Sequence, residues 1–304
     1  MSGLKSISLI AAALSCISFH SISFSQGQPA AGLTPSVSVF GLNQFNTGLN
    51  TGGSFGWSEA SAVVSLNQQV NSQFNAGVNF RYAYQNWSWS SPNAFEGHQP
   101  WKNISTPGVG LSFMYSPSPD WRFMFNPSVT WSAETGVGTR DSAIYGAVLS
   151  AAKSFSPDLT LGLGAGVFRE FDTTKVFPYL VVNWKLNERL TLSNPLPAGP
   201  TGGAGLELSY ALTEKSTLAG GGSYRTYRFR LNDEGPTAGG IGQNSFIPVF
   251  ARLSYRFESG TRLDLFGAAL VNGRLSATTA NDNNVYGDQY KTGFGIALNL
   301  SHRF

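Results

Sequence analysis

The end of the chain, residues 292–304, constrains the fold more than any other stretch. Apolar side chains occupy every second position there, and small or polar side chains occupy the positions between them. Because successive side chains of a β-strand point to opposite faces, the pattern predicts a strand with one apolar face. The apolar set is Phe294, Ile296, Leu298, Leu300 and Phe304.

This ending resembles the C-terminal strand of bacterial outer-membrane β-barrel proteins, in which a terminal aromatic residue belongs to the signal that the barrel assembly machinery recognises. The chain is most similar to the barrel families of unknown function. The resemblance implies that Phe304 is part of an assembly signal. It also implies two partners, the outer-membrane lipid bilayer and, during biogenesis, the barrel assembly machinery. His302 departs from the pattern, since an apolar residue is more usual there.

The N-terminus has the anatomy of a secretory signal peptide. Lys5 precedes an apolar run, and Ser23 and Ser25 place small residues before a cleavage point. We therefore expect a signal peptide at residues 1–25 and a mature barrel at residues 26–304. The apolar run is too short for a transmembrane anchor, which takes about 20 apolar residues.

The single cysteine, Cys16, lies inside this expected signal. An alternative is a lipoprotein signal acylated at Cys16, but Ala13 stands where such signals usually carry Leu. A mature chain without a thiol has no disulfide and no cysteine nucleophile.

The composition excludes several classes of protein. Charged residues make up 12% of the chain, about half of the ~25% usual in soluble domains. Aromatic residues reach 13%, and a disordered chain would have fewer of them and more charge. The mean hydropathy is close to zero, whereas a helical membrane protein would be far more apolar. The net charge of +3 is too small to predict a nucleic-acid partner.

The chain contains segments in which apolar and polar residues alternate. Short turns and long polar loops connect these segments, one after the other, and this pattern predicts an all-β fold. We expect a transmembrane antiparallel up-and-down β-barrel of about 12–14 strands, since single-chain barrels have an even number. The weakest candidate strand starts at Leu190 and runs into Pro195 and Pro197. Without it and its partner, twelve strands are the fallback, because proline cannot donate to the ladder.

Two tryptophans on one predicted strand match the thickness of a membrane. Trp121 and Trp131 fall on the same face and lie roughly 23 Å apart along the membrane normal, at ~3.3 Å per residue and a tilt near 45°. The apolar band of such barrels is about 25 Å tall and has aromatic girdles at both edges. The two residues are therefore predicted girdle positions. A soluble β-sandwich would bury the same stripe.

By the same alternation, six charged residues are predicted to line the lumen. Inward arginines either pair with inward carboxylates and stiffen the wall, or line a pore and attract anions. Arg262 and Asp264 share a face two positions apart, which favours pairing. A further cluster, Arg225, Arg228 and Arg230, has a confused phase that suggests a bulge. The candidate lumen-lining residues are Arg81, Arg122, Glu207, Arg252, Arg262 and Asp264.

Catalysis has little support in the sequence. His98 is expected in an external loop and His302 at the periplasmic end, and residues at opposite ends of a barrel do not share a proton. We predict no catalytic residue, cofactor or metal site. An integral enzyme that pairs His98 with Ser90 or Ser91 is a distant alternative.

The sequence thus predicts an integral protein of the bacterial outer membrane, serving as a passive channel or small-solute transporter. The alternative from another class is a closed structural or adhesive barrel whose external loops bind partners. A barrel of this size encloses either a water channel or a packed interior.

Overall fold

The structure is a computed structural model that describes residues 32–171, 173–195, 205–280 and 285–304. The expected signal peptide lies outside these residues. Within them, no helix is long and apolar enough to cross a membrane. A single turn of 3₁₀ helix, Asn93–Phe95, follows the third strand.

Seventeen strands in the described residues form one closed antiparallel barrel. Three pairs, β5 and β6, β12 and β13, and β16 and β17, continue one another, so the wall has fourteen segments; β1 pairs with both β2 and β17 and closes it. The strands are β1 (Leu33–Gly48), β2 (Ser54–Gln69), β3 (Phe74–Ser90), β4 (Asn103–Tyr115), β5 (Trp121–Trp131), β6 (Ala133–Glu134), β7 (Ala143–Ser156), β8 (Leu159–Glu170), β9 (Thr173–Lys185), β10 (Leu190–Ser193), β11 (Gly205–Ala211), β12 (Ser216–Ser223), β13 (Arg225–Arg230), β14 (Ile241–Arg256), β15 (Thr261–Thr278), β16 (Val285–Tyr290) and β17 (Gly293–Arg303).

The predicted all-β barrel of 12–14 strands is confirmed. Its fourteen wall segments correspond to the larger of the two predicted numbers. The doubtful segment at Leu190 is the strand β10, which pairs with β9 and β11 but has only four residues before the chain reaches Pro195. Leu33 and Phe304 lie at the same end of the barrel, because β1 and β17 pair from Ser36 with Arg303 onward. We call this the lower end and the opposite end the upper end.

The pairing of neighbouring segments is interrupted at one level of the wall. β12 gives way to β13 at Tyr224, and β16 gives way to β17 at residues 291–292. These breaks lie level with a register shift between β14 and β15, as the pairs on either side of it show. We call this line the crease.

Two β-bulges lie on the crease. One falls between Ser245 and Ile247 of β14, opposite Asn272 of β15, whose φ is 52°. The other falls between Gln44 and Thr47 of β1. A bulge leaves one residue unpaired and bends its strand. The bulges therefore bend β1 and β14 at the crease. Above this level the strands no longer follow the cylindrical wall.

The part above the crease folds across the lumen, and we call it the flap. Within the described residues, β13 pairs with β14 on one side and meets β6 of the opposite wall at a single parallel position, Arg230 with Ala133. Arg230 N donates to Ser132 O at 2.9 Å. The flap comprises β13, the loop 231–240, residues 241–246 of β14, residues 272–278 of β15, and β16.

Candidate functional site

The outer face of the barrel is apolar over most of its circumference. Exposed side chains alternate with buried ones along the strands, as the period of two requires. Large apolar side chains that would be hidden in a soluble protein are 40–70% exposed here, among them Leu163 (68%), Leu180 (58%), Phe294 (60%) and Ile296 (56%). Trp121 is 40% exposed on this face, and Trp131 is half-buried.

Buried ion pairs hold the lower part of the lumen together. Arg252 of β14 forks onto Glu207 of β11, with Nε donating to Oε2 at 3.1 Å and Nη2 donating to Oε1. Between the two strands, β12 presents Ala219 and Gly221, which are small enough for the arginine to cross. Arg252 Nη1 also donates to Asp264 Oδ1 of β15 at 3.2 Å. All three charged side chains are at most 4% exposed.

The same network extends further around the wall. Arg262 Nε donates to Asp264 Oδ1 at 2.8 Å, and Asn299 of β17 donates to Asp264 Oδ2 at 3.2 Å. Ser38 of β1 donates to Asn299 Oδ1 at 2.7 Å. Five segments, β11, β14, β15, β17 and β1, are linked in this way, and we call the set the polar belt. Two buried carboxylates share its two arginines, so the belt is close to neutral.

The other predicted lumen residues lie outside this belt. Arg81 of β3 and Arg122 of β5 are half-buried between exposed neighbours, on a different part of the wall. The structure thus brings four of the six candidates together. Phe304 is 72% exposed at the lower end; its ring meets His302 edge-on at 4.4 Å, and its N–H donates to Pro35 O at 3.1 Å.

Aromatic side chains fill the upper lumen, and we call them the aromatic core. Trp57 and Trp87 stack at 5.1 Å between centroids, and Tyr227 of the flap meets Trp57 edge-on at 5.3 Å. Phe229 of the flap meets Trp101 edge-on at 5.2 Å. Such pairs are worth about 0.5–1.5 kcal/mol each beyond the area they bury. The core comprises Phe55, Trp57, Trp87, Trp89, Phe95, Trp101, Tyr227, Phe229, Phe246 and Tyr290.

Polar partners satisfy the indole N–H groups of three of these tryptophans. Trp57 Nε1 donates to Gln44 Oε1 at 2.5 Å, Trp87 Nε1 to Gln85 Oε1 at 3.2 Å, and Trp89 Nε1 to Trp101 O at 2.8 Å. Because these N–H groups bond to amide and carbonyl oxygens, the contacts between the rings themselves are stacked or edge-on. A packed core of this kind leaves little room for a hydrated solute in the observed conformation.

Two carboxylates fasten the flap to the opposite wall. Glu134 of β6 accepts the Lys102 N–H and the Asn232 N–H at 3.0 Å each, and Asn232 belongs to the flap loop. Glu170 of β8 accepts from Arg228 Nη1 of β13 at 2.8 Å and is fully buried. The seam therefore combines one strand position, two carboxylates and ring contacts with two further hydrogen bonds, from Arg228 Nη1 to Thr173 Oγ1 and from Arg230 Nε to Asp141 O.

A small cavity lies under the seam. It measures about 20 Å³, which is room for about one water molecule. Its lining includes Glu59, Gln85, Thr106, Arg228 and Phe229. Gln85 Nε2 donates to Glu59 Oε2 at 2.8 Å, so this buried carboxylate has an amide partner.

Sequence reasoning missed the aromatic core and the seam. β3 continues to Ser90 and so carries Trp87 and Trp89, shortly before the loop that was expected to hold His98. Trp87 and Trp89 keep the inward parity of Gln85, so extending the alternation would have placed both rings inside. The flap strand carries Arg225, Arg228 and Arg230, and its confused phase arises because it leaves the wall and is buried on both faces; the predicted bulge lies on the neighbouring β14–β15 pair.

A family comparison covers most of the chain. Residues 36–266 match the family described as Domain of unknown function (DUF6268). The chain belongs to this family. No curated protein matches the sequence.

Several solved barrels are similar in structure. The outer membrane channel from Pseudomonas putida F1 shares 11% identity at a TM-score of 0.46, over 90% of this chain and 96% of that one. The toluene transporter TodX of Pseudomonas putida shares 10% identity at a TM-score of 0.46, over 89% of both chains. The KdgM porin shares 10% identity at a TM-score of 0.35, over 88% of this chain and 99% of that one. Likeness at this level carries no information on what this chain binds.

Proposed function

We propose that the chain is an integral protein of the bacterial outer membrane, made with a cleaved signal peptide at residues 1–25. The exposed apolar face supports this location, because soluble monomers rarely expose contiguous apolar patches beyond a few hundred Å². Trp121 and Trp131 would then mark the two girdles, and the lower end would face the periplasm. Phe304 would belong to the signal read by the assembly machinery, which its exposure at the lower end allows.

Within that setting, the proposed function is passage of small solutes through the lumen. The observation that supports this function is that the flap, and not the barrel wall alone, fills the upper lumen. An eight-stranded barrel is filled by its own side chains, and barrels of 16–18 strands leave an aqueous channel. Here fourteen segments enclose a lumen whose upper part is filled by the flap, a piece of chain joined to the far wall at one strand position in the described residues.

A second function is favoured by the aromatic core itself. A core packed as densely as this one also suits a barrel that never opens and whose upper loops bind other molecules. That is the structural or adhesive alternative. It predicts a lumen that stays closed under every condition that leaves the barrel folded.

Planar-bilayer recording of the refolded protein separates these functions. Discrete conductance steps from a preparation that shows heat-modifiable, folded mobility would support the channel. If folded protein adds no conductance across a wide range of voltages, the channel function is wrong. Liposome swelling with neutral solutes of graded size would then define the size limit of passage.

Selectivity is expected to be weak. Inward arginines that line a pore would attract anions, but the polar belt pairs Arg252 and Arg262 with Glu207 and Asp264. Unequal salt concentrations across the bilayer would measure the preference as a reversal potential.

A further inference from the structure

The flap is attached to the barrel very differently on its two sides. On one side its own strands β14 and β15 continue through the crease into the wall and pair with each other at fourteen positions, most of them below the crease, and Tyr290 of β16 bridges Leu49 after β1. On the other side, β13 pairs with β6 at one position in the described part of the chain. An element held by a continuous ladder on one side and a single rung on the other releases first at the single rung, since each rung contributes its own hydrogen bonds.

The crease lies where a moving flap needs a hinge. Tyr224 interrupts the first strand, and the Ser245–Ile247 bulge with Asn272 interrupts the next pair at the same level. Bulges and positive φ values concentrate bending at few residues. Opening about this line would leave the ladders below it, and the polar belt, unchanged.

The seam is held by contacts that a rotation about the crease would break together. They are the Arg230–Ala133 rung, the Arg228–Glu170 ion pair and the Asn232–Glu134 hydrogen bond. The Tyr227–Trp57 and Phe229–Trp101 ring contacts span the same gap. Two of these contacts reach β6 and one reaches β8, whereas the ring contacts reach Trp57 of β2 and Trp101 of the loop before β4. None of them joins the flap to its own side.

From these features we propose that the flap is a gate, hinged at the crease and latched at the seam to β6 and β8, whose release opens the lumen. The proposal rests on the channel function described above. In the latched state the flap rings complete the aromatic core and close the upper lumen. In the released state β13 swings away from β6, and the core loses Tyr227 and Phe229.

An engineered disulfide tests the latch directly, because the mature chain has no cysteine of its own if the signal is cleaved. Ala133→Cys with Arg230→Cys places two thiols on the single rung of the seam. Ser61→Cys with Ala83→Cys is the matched control, since this pair faces the lumen within the continuous β2–β3 ladder. Paired positions of neighbouring strands lie within the Cα separation that a disulfide requires.

Single-channel recording before and after reduction gives the outcome. We expect the oxidised seam pair to lose at least nine-tenths of its conductance and to regain it with reductant, whereas the control pair conducts equally in both states. Equal conductance of the oxidised and reduced seam pair overturns the gate. Absence of conductance in the wild type, the reduced seam pair and the control pair contradicts the channel function itself, and the gate with it.

A second variant weakens the latch without a cross-link. Glu170→Gln removes the charge that faces Arg228 while keeping the side-chain shape. Loss of a charge-assisted hydrogen bond predicts an open probability raised roughly tenfold or more. Glu258→Gln, which removes an exposed ion pair at the lower end, is the control and should leave the open probability unchanged. An unchanged open probability in Glu170→Gln, with normal folding, also counts against the gate.

Discussion

The lower and upper parts of the lumen are filled by different chemistry, and their contacts run in different directions. The polar belt links segments along one side of the wall, from β11 to β1, through buried ion pairs and hydrogen bonds. The aromatic core instead links opposite walls, because flap rings reach Trp57 and Trp101. The contacts of the polar belt, which run along the wall, stiffen the barrel. The contacts of the aromatic core, which run across the lumen, block it. The comparison therefore separates the residues that maintain the barrel from the residues that decide whether it is open.

The largest effect is expected in the polar belt. Arg252→Met leaves Glu207 and Asp264 buried without their shared cation, and breaking a buried pair in this way costs about 3–5 kcal/mol. Denaturant unfolding in lipid vesicles measures the loss. Arg256→Met, at an exposed position of the same strand, is the control and should change the stability little. Equal stability of the two variants would mean that the belt is not what holds the lower barrel.

A slightly smaller and more local effect is expected in the aromatic core. Trp101 is 2% exposed, and truncating a buried tryptophan to alanine costs about 3 kcal/mol or more. Because Phe229 of the flap is one of the rings that lose contact with Trp101, amide hydrogen exchange should speed up in residues 225–246 and stay slow in the lower half of β14. Trp184→Ala, on the outer face, should not change exchange in the flap. Uniform acceleration along β14 would show that the two parts of the lumen are not independent.

A pair of lysine substitutions tests the parity on which both regions depend. Val129→Lys should be much worse than Ser128→Lys, since a lysine in the apolar band costs up to about 2–4 kcal/mol at the midplane and less toward the interface. Ser128 pairs with Gly110 and Gly146 and is predicted to face the lumen, where a lysine can stay hydrated. Unfolding in vesicles compares the two variants. Equal stabilities would reverse the assignment of faces for β5.

The sequence predicted much of the lower barrel and little of the upper one. Period-two alternation predicts which side chains face inward, and Glu207, Arg252, Arg262 and Asp264 are indeed close enough to bond. Alternation carries no information on which inward residues of distant strands meet, because that depends on closure of the barrel. The flap was missed for a related reason. A strand that leaves the wall is buried on both faces, and β13 accordingly has no clean period.

The smallest effect concerns pH and acts on the upper region alone. Glu134 lies beyond Trp131, above the proposed membrane band, and burial raises its pKa above the usual 4.5, although the N–H groups of Asn232 and Lys102 oppose the rise. Release of the flap would hydrate this carboxyl and return its pKa toward 4.5, so the closed state binds the proton more tightly. Closing is therefore favoured as the pH falls from the raised value toward 4.5, and opening is favoured as the pH rises through the same window.

The open probability of single channels between pH 4.5 and pH 7 measures this dependence. The wild type should open more readily at the higher pH, because the raised pKa of Glu134 in the closed state favours closing when this carboxyl is protonated. Glu134→Gln removes the titrating group and should flatten the response. Glu234→Gln, which changes an exposed neighbouring carboxylate in the flap loop, should flatten it much less. A wild-type response of the opposite sign would show that the Asn232 N–H bond to Glu134, and not the burial of this carboxyl, decides how the proton acts on the flap.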